Sequence, residues 1–221
     1  MRYGIPNYRT PRDILDAEIN RILDLGDIEV VLNKRVGKDI PMDEVEKSHD
    51  AVLWTIGCWN GKALPIEGSD AENCLSGVAF LEAFCQGRLK VGSKKVVCVG
   101  GGDTSIDVVS VARRLGHISN LNPQETPEAV VHGYVAQDVS ESAVKEGAEV
   151  TLTSLFQKEE MTAAEQEVND AIHEGVTIIN GVIPVRVEKD DNNRAVALVI
   201  SDCTFEDNKP VPVKKKKKRI E

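Results

Sequence analysis

Apolar residues recur along this chain in two rhythms, one helical and one extended. Ile14, Leu15, Ile19, Ile22 and Leu23 fall at helical spacing. Thr10 stands where an N-cap belongs, Pro11 at the first helical position and Gly26 just past the end. Residues 28–32 then read as a strand, and residues 51–56 as a buried strand that stops at Gly57; 45–49 is too short to assign. Residues 61–69, with Pro65 and Gly68, are turn-rich, and 78–85 reads as a helix stopped by Gly87. An apolar strand over 94–99 runs straight into Gly100, Gly101 and Gly102. The pattern predicts a helix over 104–115, burying Val108, Val109, Val111, Ala112 and Leu115 and ended by Gly116. Residues 118–147 are polar, with a helix expected from Pro127. A strand over 149–153, a helix from the capping box Thr162-Ala-Ala-Glu165 to about Glu174, and a short strand over 176–179 follow. Residues 182–187 and 195–201 flank the turn Asp190-Asp-Asn-Asn193 and read as an antiparallel hairpin.

Strands alternating with helices predict an α/β fold, a mostly parallel sheet with helices on both faces plus an antiparallel hairpin. No apolar run approaches the roughly 18 residues that a membrane helix needs, so no membrane partner is expected. Aromatics are 4% of residues, which disfavours base-stacking nucleic-acid modules. The net charge of −9 is unevenly spread. Six of the 27 basic residues and one of the 36 acidic ones lie in 214–221, which leaves the body at −14. A body that acidic repels nucleic acid and anionic lipid. The basic run reads as a solvated tail or a loop cut short rather than a polyanion site. The five cysteines, 58, 74, 85, 98 and 203, lack zinc-ribbon and cluster spacings. Their odd count, with no secretory leader legible, points to a reduced, cytoplasmic setting. Cys98, inside an apolar strand, is expected in the core. The four histidines are scattered, so no metal site is expected.

The order strand, three glycines, helix is a phosphate-binding turn. Gly100 and Gly102 occupy the first two glycine positions of G-x-G-x-x-G, and Ser105 stands at the third. The first glycine allows a tight turn off the strand, the second a close approach of backbone to pyrophosphate, and a small third residue close packing of helix on strand. Free amides at the helix N-terminus, with the dipole behind them, then hold the phosphates. Gly101 lies between, Thr104 and Asp107 are spaced for a capping box, and Asp103 is placed to cap the turn or meet a ribose hydroxyl. The expected ligand is a dinucleotide, the other reading being a purely structural glycine turn; the resemblance described next implies a nicotinamide nucleotide.

Four segments in register resemble the glutamate synthase small-subunit family of FAD- and NAD(P)-dependent oxidoreductases. Val96-Val-Cys-Val-Gly-Gly-Gly-Asp-Thr-Ser-Ile-Asp107 resembles its second nucleotide motif, and Arg2-Tyr-Gly-Ile-Pro-Asn-Tyr-Arg9 its R-Y-G-I-P stretch. Asp50-Ala-Val-Leu-Trp-Thr-Ile-Gly57 resembles its D-A-V-x-x-A-T-G strand, and Glu159-Glu-Met-Thr-Ala163 its E-E-M-P-A. The resemblance implies the two-dinucleotide-domain flavoprotein fold, in which hydride passes from NAD(P)H to FAD and electrons leave through iron–sulfur clusters or a partner subunit. It implies a partial FAD-type segment over 1–58, with Thr55 and Gly57 on the flavin side, and an NAD(P)-binding domain over 59–213 with an insertion at 118–147. The family's first glycine motif and its cluster cysteines are not found here, so FAD is expected only in the complete parent protein. Where the family places Tyr-Arg-Arg to grip the 2′-phosphate of NADPH, this chain has Ser154, Leu155 and Phe156, with Lys158 the nearby cation. NADH is therefore slightly favoured, with Ser154 available to a ribose hydroxyl. The insertion reads as a cleft cover, a docking surface or a peripheral helical addition. A non-catalytic, partner-binding module that kept the fold is the alternative reading.

Overall fold

The structure is a computed structural model that describes residues 1–6, 8–86, 88, 94–115 and 148–221, the side chains of 115 and 214–216 excepted. The 118–147 insertion, its expected helix and the stops at Gly87 and Gly116 lie outside the described residues. The chain divides into two compact units, residues 12–60 and residues 1–11 with 61–221. Residues 1–11 thus group with residues 61–221.

The larger unit is built on three parallel strands, β1 (Lys95–Val99), β2 (Glu149–Thr153) and β3 (Thr177–Ile179), in that spatial order. Their register runs Val97↔Thr151↔Thr177. Successive side chains point to opposite faces, and two cores follow from this. Val96 and Cys98 face the larger core, which holds Phe80, Leu81 and Phe84, then Ile106, Val109 and Val111, and Val168 and Ala171. These come from three helices, which we number α3 (Gly77–Cys85), α4 (Asp103–Leu115) and α5 (Glu165–His173). Ser76 starts α3 by accepting the Ala79 amide at 3.2 Å. Val97 and Ile179 face the second core, with Val182, Leu198 and Ile200. The layer on that second face, among the described residues, is an antiparallel sheet rather than helices.

That sheet comprises β4 (Val182–Lys189), β5 (Ala195–Glu206) and β6 (Lys209–Ile220), with β5 in the middle. The expected hairpin is β4–β5, closed by Asp190, whose carboxylate accepts the amides of Asn192 and Arg194. The basic run is not a tail. It lies in β6, which pairs with β5 through Ser201↔Lys217 and Leu198↔Ile220, and Ser201 Oγ donates to the Val213 carbonyl at 2.9 Å. Lys217, Lys218 and Arg219 are exposed, which fits a strand at the edge of the described sheet.

The N-terminal arm ties this unit together from far along the chain. Arg9 pairs with Asp107 on α4 and Glu167 on α5, and Tyr8 lies under the Arg114 guanidinium at 4.6 Å. Asp107 is therefore committed to Arg9, not to a capping box with Thr104. Burial pushes its carboxyl up to about 6, against the downward pull of Arg9. Arg113, buried at the end of α4, donates to the carbonyls of Glu174 and Ala148 at 2.7 and 2.9 Å, and Arg114 pairs with Glu174.

The smaller unit holds α1 (Arg12–Leu23) and α2 (Met42–Ser48). The strands expected at 28–32 and 51–56 are absent: neither stretch takes regular secondary structure or joins a ladder. Residues 51–56 are not buried either, with Leu53 87% exposed and Trp54 and Trp59 half open rather than packed. An apolar strand is buried only when other strands flank it, and none of the described strands pairs with this one.

Candidate functional site

The glycine turn is held on every side by main-chain bonds. The Gly100 amide donates to the Thr153 carbonyl at 2.9 Å, which fixes the turn at the carboxyl end of β2. The Gly102 carbonyl accepts the amides of Ser105 and Ile106 at 2.8 and 3.2 Å and so starts α4. Helix α4 begins at Asp103, which puts Thr104 inside the first turn rather than at its cap. Among the described residues, no acceptor meets the amides of Gly101, Gly102, Asp103 or Thr104. Those are the orphan donors that every helix N-terminus leaves, here at the head of a 13-residue helix.

Two glycines answer to close packing. A Cβ on Gly100 would lie 2.1 Å from Ser105 Oγ, which is why a small residue follows at the third motif position. A Cβ on Gly101 would lie 2.8 Å from Ser154 Oγ. Ser154 is 1% exposed and forms the floor beneath the turn. Its hydroxyl accepts the Phe156 amide at 3.1 Å, its own amide donates to Ile179 and its carbonyl accepts from Val182. The side chain expected to reach a ribose hydroxyl is therefore used inside the fold.

The segment Glu159–Ala163 braces the turn from the side. The Ala163 amide donates to the Gly101 carbonyl at 3.3 Å, and Thr162 Oγ1 donates to the same oxygen at 3.5 Å. The capping box expected from Thr162 to Glu165 does not form; Ala164 is the N-cap of α5 and has no side-chain cap. Instead Asp103 Oδ1 accepts the Ala164 amide at 3.3 Å, so one carboxylate at the start of α4 serves the start of α5. Met161 is buried against the core, and its sulfur accepts from Asn180 Nδ2. Cys98 lies under the same turn; burial pushes its thiol up to about 12, so it is inert as a nucleophile.

Of the expected site residues, the structure brings together Gly100, Gly101, Gly102, Asp103, Thr104, Ser105 and Ser154. Lys158 stands on a short 3-10 turn, Lys158–Glu160, with its ammonium on Asn169 Oδ1 at 2.7 Å. Thr55 and Gly57 belong to the other compact unit and are exposed there. Sequence reasoning missed the turn's braces, Thr162 and Ala163, although the Glu159-Glu-Met-Thr-Ala163 segment was one of the four motifs.

No family model matches the chain. The NADPH–Fe(3+) oxidoreductase subunit beta of Geobacter sulfurreducens is 33% identical over 198 residues, which is 88% of this chain and 25% of that protein. Glutamate synthase (NADH) of Saccharomyces cerevisiae is 35% identical over 140 residues, covering 59% of this chain and 6% of that one. The chain thus spans about a quarter of the first relative's length. Among solved structures, FprA of Mycobacterium tuberculosis in complex with NADPH matches with a TM-score of 0.71 at 10% identity, over 99% of this chain and 58% of that one. That likeness establishes the fold as the two-dinucleotide-domain flavoprotein type. By the four ordered motifs and these relatives, the chain is similar to the glutamate synthase small-subunit-like FAD- and NAD(P)-dependent oxidoreductases, over a segment of their length.

Proposed function

We propose that the turn at residues 100–105 holds the diphosphate of a nicotinamide dinucleotide. The chain is then the NAD(P)H-binding part of a flavin-dependent oxidoreductase. The observation that carries this reading is the set of four amides, Gly101 to Thr104, without acceptors among the described residues at the head of α4. The donor set fits a diphosphate, because amide dipoles and the helix dipole both favour an anion. Asp103 turns one carboxylate oxygen to the Ala164 amide and meets the anion through its own backbone amide.

The bound nucleotide supplies the hydride; the chain's residues bind and orient it. Gly100, Gly101 and Gly102 let the backbone approach, the amides of Asp103 and Thr104 hold phosphate oxygens, and Ser105 and Ser154 support the turn from below. In the whole protein the hydride passes to FAD, and electrons go on to iron–sulfur clusters or a partner subunit. FAD is held only there, with Thr55 and Gly57 on its side, and the setting is cytoplasmic. One relative is named for NADPH and the other for NADH, so the choice rests on this chain's own residues. Leu155 and Phe156 offer no charge to a 2′-phosphate, and Lys158 is engaged by Asn169. NADH is the favoured nucleotide.

Calorimetric titration with NADH and NADPH tests the reading. Binding of NADH that Gly101→Asp abolishes is the expected result. No heat and no thermal shift at millimolar nucleotide would sink it.

A further inference from the structure

The charges along α4 run against an anion at its head. Its acidic residues, Asp103 and Asp107, lie in the first two turns, and its basic residues, Arg113 and Arg114, in the last. That order suits the helix dipole but repels a negatively charged ligand at the same end. Asp107 stands four residues beyond Asp103, about 6 Å along the axis, and helical side chains lean back toward the N-terminus. Its side chain is 8% exposed, so water screens it little. Glu167, in the first turn of α5, adds another carboxylate beside it.

The compensating charge arrives from the far end of the chain. Arg9 pairs with both Asp107 and Glu167, so one guanidinium spans carboxylates on two helices. The arm that carries it is docked along its length. Pro6 is fully buried, and Cys85 Sγ donates to the Ile5 carbonyl at 3.5 Å. Tyr8 lies under Arg114, and its hydroxyl donates to Asp107 at 3.5 Å. Arg114 is itself paired with Glu174, which leaves Arg9 as the cation placed on Asp107. We infer that Arg9 is the counter-charge that lets the head of α4 accept a diphosphate: it offsets Asp107 and Glu167 behind the glycine turn and sets nucleotide affinity without touching the nucleotide. This rests on the nucleotide reading above and adds to it a positioning residue that acts through Asp107. At about 10 Å, with a dielectric between those of a protein surface and of water, one unit charge changes the affinity for an anion about fivefold.

The test is calorimetric titration of the full chain with NADH and ADP at one salt concentration and about pH 7.5. Burial pushes the Asp107 carboxyl up only to about 6, so it is ionised there. Arg9→Met is expected to weaken both ligands about fivefold, while Arg9→Lys keeps the original affinities to within about twofold. Adding Asp107→Asn to Arg9→Met is expected to restore binding, which a loss of packing alone would not allow. Asp107→Asn by itself, with Arg9 retained, is expected to tighten both ligands about threefold, so the test stands even if Arg9→Met fails to fold. Unchanged affinities in folded Arg9→Met, a loss that neither Arg9→Lys nor the added Asp107→Asn repairs, or unchanged or weaker binding by Asp107→Asn alone overturns the counter-charge and leaves the glycine-turn reading standing. An original chain that binds neither NADH nor ADP overturns both.

Discussion

Gly101→Ala sets one methyl group against the floor of the glycine turn. Its Cβ would lie 2.8 Å from Ser154 Oγ and 3.5 Å from Ser154 Cβ, and Gly101 is not among the glycines with positive φ, so the cost is steric and not conformational. Ser154 is fully buried and cannot swing into solvent. Overpacking of this kind costs about 1–3 kcal/mol. Turning the hydroxyl aside also forfeits the Phe156 amide bond, about 1 kcal/mol. We expect Gly101→Ala to lose about 2 kcal/mol and Ser154→Ala about 1 kcal/mol. The double variant removes the obstacle and leaves only an ordinary contact at 3.5 Å, so it should lose about 1 kcal/mol, not the additive 3. Urea unfolding of the four proteins gives the cycle, since at about 2 kcal/mol/M the first variant moves its midpoint by about 1 M. Losses that add to within about 0.5 kcal/mol would refute the packing of turn on floor.

Three further outcomes are expected. The raised carboxyl of Asp107 binds its proton more tightly folded than unfolded, so its unfavourable contribution is fully present above about pH 6 and fades as pH falls toward 4. Urea midpoints at pH 7, 6 and 5 should therefore rise for the original chain relative to Asp107→Asn, by at most about 1.4 kcal/mol per pH unit, and a constant difference would contradict this. Leu155→Arg with Phe156→Arg should shift preference toward NADPH by about tenfold, read as the ratio of dissociation constants at fixed salt. Arg113→Leu should lose about 2–3 kcal/mol, because it strands the Ala148 and Glu174 carbonyls; thermal melts showing no loss would remove the role given to that guanidinium.

Local periodicity was enough for β1, the glycine turn, α4, β2 and the β4–β5 hairpin, since each is written in consecutive residues. What it could not reach were pairings across long separations. Arg9 and Glu167 meet over 158 residues, and nothing near Asp107 announces that its partner is Arg9 rather than the Thr104 cap. Thr162 and Glu165 have the spacing of a capping box, yet Asp103 supplies the acceptor from another helix, leaving Thr162 to the turn. Residues 51–56 have strand composition, but composition cannot provide neighbours. The lysine run misled in the opposite way: its charge reads as tail, while its backbone has a ladder to join.

The charged edge strand β6 has a colloidal consequence. Its inner side is paired with β5, and its outer side pairs with no described strand. A 12-residue strand of that kind is a template on which another chain's strand can grow. Two copies meeting edge to edge would bring the 214–219 runs, all lysine and arginine, against each other, and that repulsion keeps the molecules apart at neutral pH. The protection is electrostatic, so salt screens it and acetylation of the lysines erases it. Protection of this edge thus rests on the ammonium and guanidinium groups of one strand.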